Sequence, residues 1–139
     1  MVLLYRVDVK ALAPEHRASV LELANASGTE ALWKLDTFWY GVLYQDRSRV
    51  LGVALVVERG GVHAVERICV LESERSRGIG TELLGIVKDQ LAPGAAACCT
   101  VPEHHPRREA LASFLESSGF AASPDGTHEF KKAPRNAPY

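Results

Sequence analysis

The stretch Val65–Leu91 constrains the fold more than any other part of the sequence. It begins as an apolar run typical of a strand, continues as a polar loop and ends as an amphipathic helix. The loop contains Arg75-Ser-Arg-Gly78-Ile-Gly80, with one residue between its two glycines. Glycines let a backbone approach a ligand closely, and the first N–H groups of a helix point outward with the positive end of the helix dipole behind them. The stretch therefore predicts an anion site at a strand-to-helix turn.

Spacing separates this glycine loop from two familiar nucleotide motifs. A P-loop requires a lysine and a hydroxyl residue directly after its last glycine, whereas Thr81-Glu82 follows here. A dinucleotide fingerprint requires a third glycine three residues after the second, and Leu83 stands at that position. The simplest alternative is a tight strand-to-helix connection that binds nothing. The loop alone leaves two options, a structural turn or another kind of phosphate site.

The composition is that of an ordinary globular chain. Its 139 residues are enough for one domain with a hydrophobic core, and 47% of them are hydrophobic and 24% charged. A net charge of −1 does not indicate a basic surface that would bind nucleic acid or an anionic membrane. No apolar run approaches the roughly 18 residues of a membrane span. We therefore expect one domain over residues 1–132, without nucleic-acid or membrane partners, and a flexible tail over residues 133–139.

The start of the sequence and its cysteines indicate the cellular compartment of the protein. A strand pattern follows Met1 directly, in place of the charged and apolar regions of a signal peptide. The cysteines are Cys69, Cys98 and Cys99, an odd number with two of them adjacent, which does not build a disulfide framework. We expect reduced thiols in a cytoplasmic protein.

Periodicity and turn residues predict an α/β fold with the order βααβββαβαββ. Strand patterns lie at residues 5–9, 38–44, 50–57, 62–70, 95–101, 120–122 and 128–132. Helices are predicted at residues 14–26, 30–35, 78–91 and 106–118. Turns at 46–48 and Gly60-Gly61 make antiparallel hairpins, and the helix after Val70 makes a parallel crossover. The expected sheet is mixed, mostly antiparallel, with about six or seven strands flanked by helices.

Two motifs together resemble a known family. Arg75-x-x-Gly78-x-Gly80 after a strand resembles the coenzyme-A-binding motif of the GNAT-type N-acetyltransferases. Further on, Ala110-x-x-x-Phe114-Leu115-Glu116-x-x-Gly119-Phe120 resembles the family's second motif, a helix that ends in Gly-Phe. The resemblance extends from about residue 50 to residue 120, and earlier only the order of elements matches. It implies a single-domain GNAT-like fold in which the strands around the first-motif helix splay apart and form a cleft for the pantetheine arm.

The resemblance also implies a cofactor site for acetyl-CoA as co-substrate, with no metal. The backbone near the strand end would receive the acetyl carbonyl oxygen, and the loop and helix start would receive the pyrophosphate. The residues so assigned are Val70, Arg75, Ser76, Arg77, Gly78, Ile79, Gly80 and Thr81. For Arg75 and Arg77 the alternative is a solvated loop. Trp33, Asp36, Trp39 and Tyr40 lie where members of the family have their acceptor pocket. The alternative is that these four residues serve in the core or at the sheet edge.

Glu66 is the candidate general base. It lies four residues before Val70, which strict alternation places on the same side of the strand, whereas His63 would face the opposite side. A carboxylate in so apolar a strand is unusual, and partial burial favours a pKa suited to proton transfer. Many members of the family carry an acidic residue here or at the position of Ala64. The alternative is a surface carboxylate beside Arg67 or a structural ion pair.

The general acid departs from the family pattern. A tyrosine often stands four residues before the helix-ending glycine, and here that residue is Leu115. An asparagine often found seven residues earlier is Arg108, and Arg107 or Arg108 could reach a cofactor phosphate, although exposed helix charge accounts for both. The departure leaves the protonation of the departing thiolate open.

The remaining candidates favour structural roles. His104-His105 lack acidic or cysteine partners at metal-ligand spacing, and Cys98-Cys99 lack a paired base. The sequence therefore predicts an N-acetyltransferase that moves an acetyl group directly from acetyl-CoA to a primary amine, with Glu66 as base. The alternatives are a catalytically weak or inactive acyl-CoA-binding module and an α/β domain that binds another phosphate ligand. The acceptor can be a small-molecule amine, a peptide N-terminus or a lysine side chain, and a homodimer is left open.

Overall fold

The computed structural model describes residues 2–25, 38–101 and 106–133. The predicted second helix at 30–35, the end of the first helix at Ser27-Gly28 and most of the expected tail lie outside these residues. Within them the strands are β1 (Val2–Asp8), β2 (Tyr40–Asp46), β3 (Arg49–Arg59), β4 (Val62–Val70), β5 (Ala96–Thr100), β6 (Ala121–Ala122) and β7 (Thr127–Lys131). The helices are α1 (Pro14–Asn25), α2 (Ile79–Gln90) and α3 (Arg108–Ser117).

All seven strands form one sheet, and the α/β class with a mixed, mostly antiparallel sheet is confirmed. The spatial order is β1-β2-β3-β4-β5-β7-β6, and only β4 and β5 run parallel. Short hairpins join β2 to β3 and β3 to β4, and antiparallel pairing follows from such connections. Gly60 and Gly61 have φ of 58° and 85°, a left-handed conformation that costs glycine little. Helix α2 carries the chain from β4 to β5, as a parallel crossover requires.

Helices cover both faces of the sheet and enclose two cores. We call the side covered by α2 the α2 face and the side covered by α1 the α1 face. Helix α1 packs on β3 and β4, α2 packs across β1 to β4, and α3 contacts β6 and β7. The α2-face core includes Tyr40, Val42, Ala54, Val56, Val65, Leu83, Leu84, Val87, Ala97, Cys99 and Leu115. The α1-face core includes Val9, Val20, Leu23, Leu43, Val53, Leu55 and Cys69.

The parallel pair β4–β5 opens soon after it begins. Its register joins only His63 to Ala97 and Ala64 to Cys98, so β4 continues toward Val70 without β5 beside it. Leu71 donates its N–H to the carbonyl of Leu51 at 2.8 Å, so the backbone of Leu71 faces β3. Successive strand residues present their backbone groups to opposite edges. The N–H and C=O of Val70 therefore face the opening, which is the splayed cleft that the resemblance implies.

A β-bulge at Glu66 changes the side-chain alternation along β4. Leu55 pairs with Arg67 and Val56 pairs with Val65, which leaves Glu66 as the extra residue. Val65, Ile68 and Val70 accordingly all pack on the α2 face. His63 bonds Tyr40 of the α2-face core, whereas Glu66 pairs with Arg59. The expectation that Glu66 shares a side with Val70 and that His63 faces away is therefore wrong, because a bulge breaks the period of two.

Element boundaries differ from the sequence predictions mainly near prolines and strand ends. Helix α3 begins at Arg108, while residues 106–107 form a turn before it. Strand β2 begins at Tyr40, two residues later than predicted, although Phe38 is buried. None of the three cysteines forms a disulfide. In the part of the chain that the structure describes, no helix is both long and apolar enough to cross a membrane.

Candidate functional site

A cavity of about 410 Å³ lies where the end of β4 meets α2 and α3. Its lining comes from the last residues of β4, the loop before α2, the first turn of α2 and one face of α3. The lining residues are Ile68, Cys69, Val70, Glu74, Arg75, Ser76, Gly78, Ile79, Gly80, Thr81, Arg107, Ala110, Leu111 and Phe114. Seven of the eight residues that the resemblance assigns to the cofactor therefore share one cavity, and Arg77 is the exception.

The loop before α2 has the backbone of an anion-binding nest. Ser76 and Gly78 have φ of 71° and 79°, and Gly78 caps the helix N-terminus. The Gly78 carbonyl accepts from the N–H of Glu82 at 3.1 Å, which is the first bond of the helix. The N–H groups of the preceding residues have no acceptor within the helix and point outward. Loops of this kind, with the helix dipole behind them, favour a negative group in front.

Gly80 is required for packing as well as for any ligand. A Cβ built at Gly80 would lie 2.9 Å from Cζ of Phe114, closer than a real Cβ contact. A Cβ at Gly78 would meet nothing within 4 Å, but φ there is positive. The second glycine of the motif therefore lets α3 approach α2 and form the far wall of the cavity. The first glycine serves the turn conformation.

The loop arginines play different parts. Arg75 lines the cavity and donates through Nε to the carbonyl of Val70 at 3.1 Å. Arg77 is exposed and pairs with Glu74, its Nη1 lying 3.4 Å from Oε1. Glu74 lines the cavity, so its carboxylate places negative charge beside the nest. Arg75 thus links the loop to the end of β4. The exposed side chain of Arg77 instead fits the alternative of a residue in a solvated loop.

Helix α3 supplies an apolar wall with one cation. Leu111 and Phe114 line the cavity together with Arg107 at the helix entrance. Arg107 therefore lies at the site, although its sequence position gave no reason to prefer it over Arg108, which does not line the cavity. Leu115 is fully buried in the α2-face core. The position where the family often has tyrosine thus faces the core and not the cavity in this chain.

Glu66 lies just outside the cavity. It stands two residues before Ile68, the first residue of β4 in the lining, and its side chain is 33% exposed. Its carboxylate forms an ion pair with Arg59.

Burial, reinforced by Cys98 and Glu66, raises the pKa of the nearby Cys99 thiol to about 12. Cys99 is therefore protonated near neutral pH, which supports the structural role expected for it.

Trp39 and Tyr40, two of the four acceptor-pocket candidates, belong to a separate cluster on the α2 face. The Tyr40 hydroxyl lies 2.8 Å from Nδ1 of His63, and the Trp39 and His63 ring centroids are 4.9 Å apart. The Arg6 guanidinium lies 4.6 Å from the Tyr40 ring centroid. Burial raises the pKa of Tyr40 to about 12, an effect that Arg6 opposes. Neither aromatic residue lines the cavity, and Trp33 and Asp36 lie outside the described residues.

Among the described residues, no group of three or more His, Cys, Asp or Glu side chains could hold a metal ion. His104-His105 lie outside those residues. The lining of the cavity suits an organic anion with an apolar arm. Backbone N–H groups and arginines can meet the anion, and the side chains of Ile68, Leu111 and Phe114 can contact the apolar arm.

Comparison with known proteins identifies the family. The model of the GNAT acetyltransferase domain matches residues 34–122, which is more than half of the chain. This protein therefore belongs to the GNAT acetyltransferase family, and it is an acyltransferase by family. The resemblance of the two sequence motifs is thereby confirmed. No curated protein sequence matches the chain.

Solved structures share the fold at low sequence identity. YhhK from Escherichia coli, solved with coenzyme A bound, aligns with a TM-score of 0.71 and 17% identity, covering 92% of this chain and 97% of its own. The ribosomal-protein-S18-alanine N-acetyltransferase from Escherichia coli aligns at 0.66 and 12% over all of both chains. Diaminobutyrate acetyltransferase from Paenibacillus lautus, in complex with its substrate and coenzyme A, aligns at 0.60 and 12%, covering 96% and 95%.

Proposed function

We propose that this protein is an N-acetyltransferase that moves an acetyl group from acetyl-CoA directly to a primary amine. The observation that carries the proposal is the cavity at the mouth of the β4–β5 opening, bounded by the glycine loop and the α2 N-terminus. Solved relatives of the same fold hold coenzyme A. Two of the solved structures with this fold are named for a ribosomal-protein alanine and for a small diamino acid, so family membership alone leaves the acceptor open.

Cofactor binding in this proposal uses the loop and the strand end. The N–H groups of Arg77, Gly78, Ile79, Gly80 and Thr81, together with Ser76, receive the pyrophosphate, and Arg75 and Arg107 add positive charge. Glu74 stays paired with Arg77, which offsets its repulsion of a phosphate. The Val70 N–H, which faces the opening, donates to the acetyl carbonyl oxygen as negative charge develops there.

Proton removal falls to Glu66. An ammonium group cannot attack a thioester, so the acceptor must lose a proton before or during attack. Glu66 stands beside the opening and next to the cavity wall, where a carboxylate can take that proton directly or through water. Along the described part of α3, the cavity wall carries no tyrosine, so the departing thiolate relies on water or on its own stability as an anion.

The test of the base is Glu66→Gln. We expect unchanged coenzyme A affinity by calorimetry and a turnover, followed by thiol release, that falls about 10²–10⁴-fold at neutral pH. Turnover should partly recover at high pH, because more acceptor amine is then unprotonated. Glu116→Gln is the control, since Glu116 is an exposed carboxylate on α3. A Glu66→Gln enzyme with the pH–rate profile of the wild type would remove Glu66 from the mechanism.

A catalytically weak acyl-CoA-binding module remains the second candidate. It is favoured by the α3 wall, where Leu111 and Phe114 offer no proton to a leaving group and Leu115 is buried in the core. This candidate expects coenzyme A binding by calorimetry without thiol release across a panel of amines. Thiol release that depends on an added amine would exclude it.

A further inference from the structure

Four side chains gather on the α1 face around the bulge of β4. Ala97 and Cys99 pack into the α2-face core, so Cys98 between them faces the α1 face, and Glu129 lies opposite Cys98 in the register. Arg59 follows Val57 of the α1-face cluster by two residues. Burial raises the pKa of the Cys98 thiol, the charge of Arg59 lowers it, and the charges of Glu129 and Glu66 raise it.

This group of side chains stands at the point where β4 and β5 separate. The last paired residues are Ala64 and Cys98, and Glu66 is two positions further along β4. Helices α2 and α3 form the walls of the cavity on the other face. An acceptor that meets a thioester in the cleft therefore approaches from the α1 face. Glu66 lies at the opening on that face, and Arg59, which stands opposite Val62 in the register, reaches Glu66 through their ion pair.

The ion pair of Arg59 and Glu66 is not explained by stability. The Arg59 side chain is 68% exposed and that of Glu66 is 33% exposed, and exposed pairs contribute little to folding. A guanidinium has five N–H donors, and one carboxylate uses at most two of them. Arg59 therefore keeps donors for a second anion while Glu66 keeps lone pairs for a cation. A cation and an anion held side by side complement a zwitterion.

We propose that the acceptor is a free amino acid, whose carboxylate binds Arg59 while its amine is presented to Glu66. This inference rests on the proposed acetyl transfer. Glu66 takes one proton of the ammonium group, directly or through water, which leaves a neutral amine. The N–C bond then forms between the amine and the acetyl carbon, the C–S bond breaks, the thiolate leaves with the C–S electron pair, and the second proton on nitrogen passes to water. Glu129, on the far side of Cys98, repels a carboxylate and restricts it to the side of Arg59. A peptide N-terminus lacks the adjacent carboxylate and would be a poor acceptor.

The test compares acceptors that differ only at the carboxylate. Glycine, leucine, glutamate and lysine are each assayed for thiol release from acetyl-CoA beside their α-amides and their decarboxylated amines. We expect kcat/KM for at least one free amino acid to exceed that of its amide and its amine by about 10–100-fold, as for a charge-assisted bidentate hydrogen bond. Arg59→Met should remove this preference through KM and change the rate on the decarboxylated amine less than about threefold.

Arg49→Met is the matched control, since Arg49 is exposed and lies at the opposite end of β3. It should keep the preference of the wild type, and circular dichroism establishes that both variants are folded. Amides and amines that react as fast as the free amino acids, with Arg59→Met unchanged, would overturn the inference and leave the proposed function standing. So would an Arg59→Met enzyme whose kcat falls equally on every acceptor, because Arg59 would then only orient Glu66. Absence of transfer to all three forms would overturn both.

Discussion

At the scale of single residues, Gly80 and Gly85 show how two glycines of one helix differ. Both lie in α2, one turn and a residue apart. A Cβ at Gly80 would lie 2.9 Å from Phe114, whereas a Cβ at Gly85 would meet nothing within 4 Å. Phe114 also lines the cavity, so its displacement would change the cavity wall. The same substitution should therefore have opposite effects at the two positions.

We expect Gly80→Ala to lower both stability and coenzyme A affinity, because Phe114 must move to admit the methyl group. Overpacking of this kind costs about 1–3 kcal/mol. Gly85→Ala should stabilise the protein by about 0.5–1 kcal/mol, because alanine loses less backbone entropy in a helix. Urea unfolding measures the stabilities, and calorimetry with coenzyme A measures the affinities. Equal effects of the two substitutions would show that Phe114 does not restrict Gly80.

At the scale of elements, Lys88 joins α2 to the end of α3. Its Nζ donates to the carbonyl of Ser118 and lies 4.5 Å from the ring centroid of Phe130. It also lies 5.7 Å from the ring centroid of Phe120. The last carbonyls of a helix lack partners within the helix, so a cation there satisfies one of them and favours the dipole. Lys88 thereby holds α3 against α2 and supports the far wall of the cavity.

We expect Lys88→Met to destabilise the protein by about 1–3 kcal/mol, because the Ser118 carbonyl loses a charged donor and the aromatic rings lose a cation. Methionine keeps most of the apolar stem of the side chain. The loss of unfolding free energy therefore measures the contribution of the ammonium group. Lys131→Met is the control, since Lys131 is exposed on β7, and it should stay within about 0.5 kcal/mol of the wild type. Thermal and urea unfolding measure both. A Lys88→Met protein as stable as Lys131→Met would contradict the link.

At the scale of the whole molecule, His63 couples folding to pH. Its Nδ1 bonds Tyr40, which is fully buried, and Trp39 packs on its ring. Burial lowers the pKa of His63 below the ordinary value of 6.5, and Arg6 lowers it further while Glu58 raises it. The folded protein therefore holds His63 neutral under conditions in which the unfolded chain binds a proton. The stabilisation is complete above the unfolded pKa and is lost as pH falls through the folded pKa.

We expect the free energy of unfolding to decrease as the pH is lowered from about 7.5 to about 5, with His63 contributing to the slope. His63→Gln should flatten this dependence, because glutamine can bond Tyr40 without titrating. Urea unfolding at several pH values gives the slope. His16→Gln on α1 serves as the comparison and should keep the slope of the wild type. Parallel curves for the wild type and His63→Gln would mean that His63 does not carry the pH dependence.

Features that depend on neighbouring residues could be read from the sequence. The bounds of β4 at Val62 and Val70 were predicted as found, and so were the start of α1 at Pro14 and the positive φ of Gly60 and Gly61. Turn conformation, proline at a helix start and the change from a period of two to 3.6 are properties of a few consecutive residues. The motif around Gly78 and Gly80 is equally local, and together with the helix that ends in Gly119-Phe120 it indicated the family.

Only the tertiary structure decided what these elements face. The bulge at Glu66 arises from the pairing of β3 with β4, and it moves the side chain to the α1 face beside Arg59. The packing of α3 on α2 places Phe114 at Gly80 and buries Leu115 in the core. Strand register and helix packing join residues far apart in the chain, and a shift of one residue exchanges the faces of a strand. The sequence by itself therefore determined the family and the strand-to-helix turn around Gly78 and Gly80, while long-range pairing decided which side chains surround the cavity.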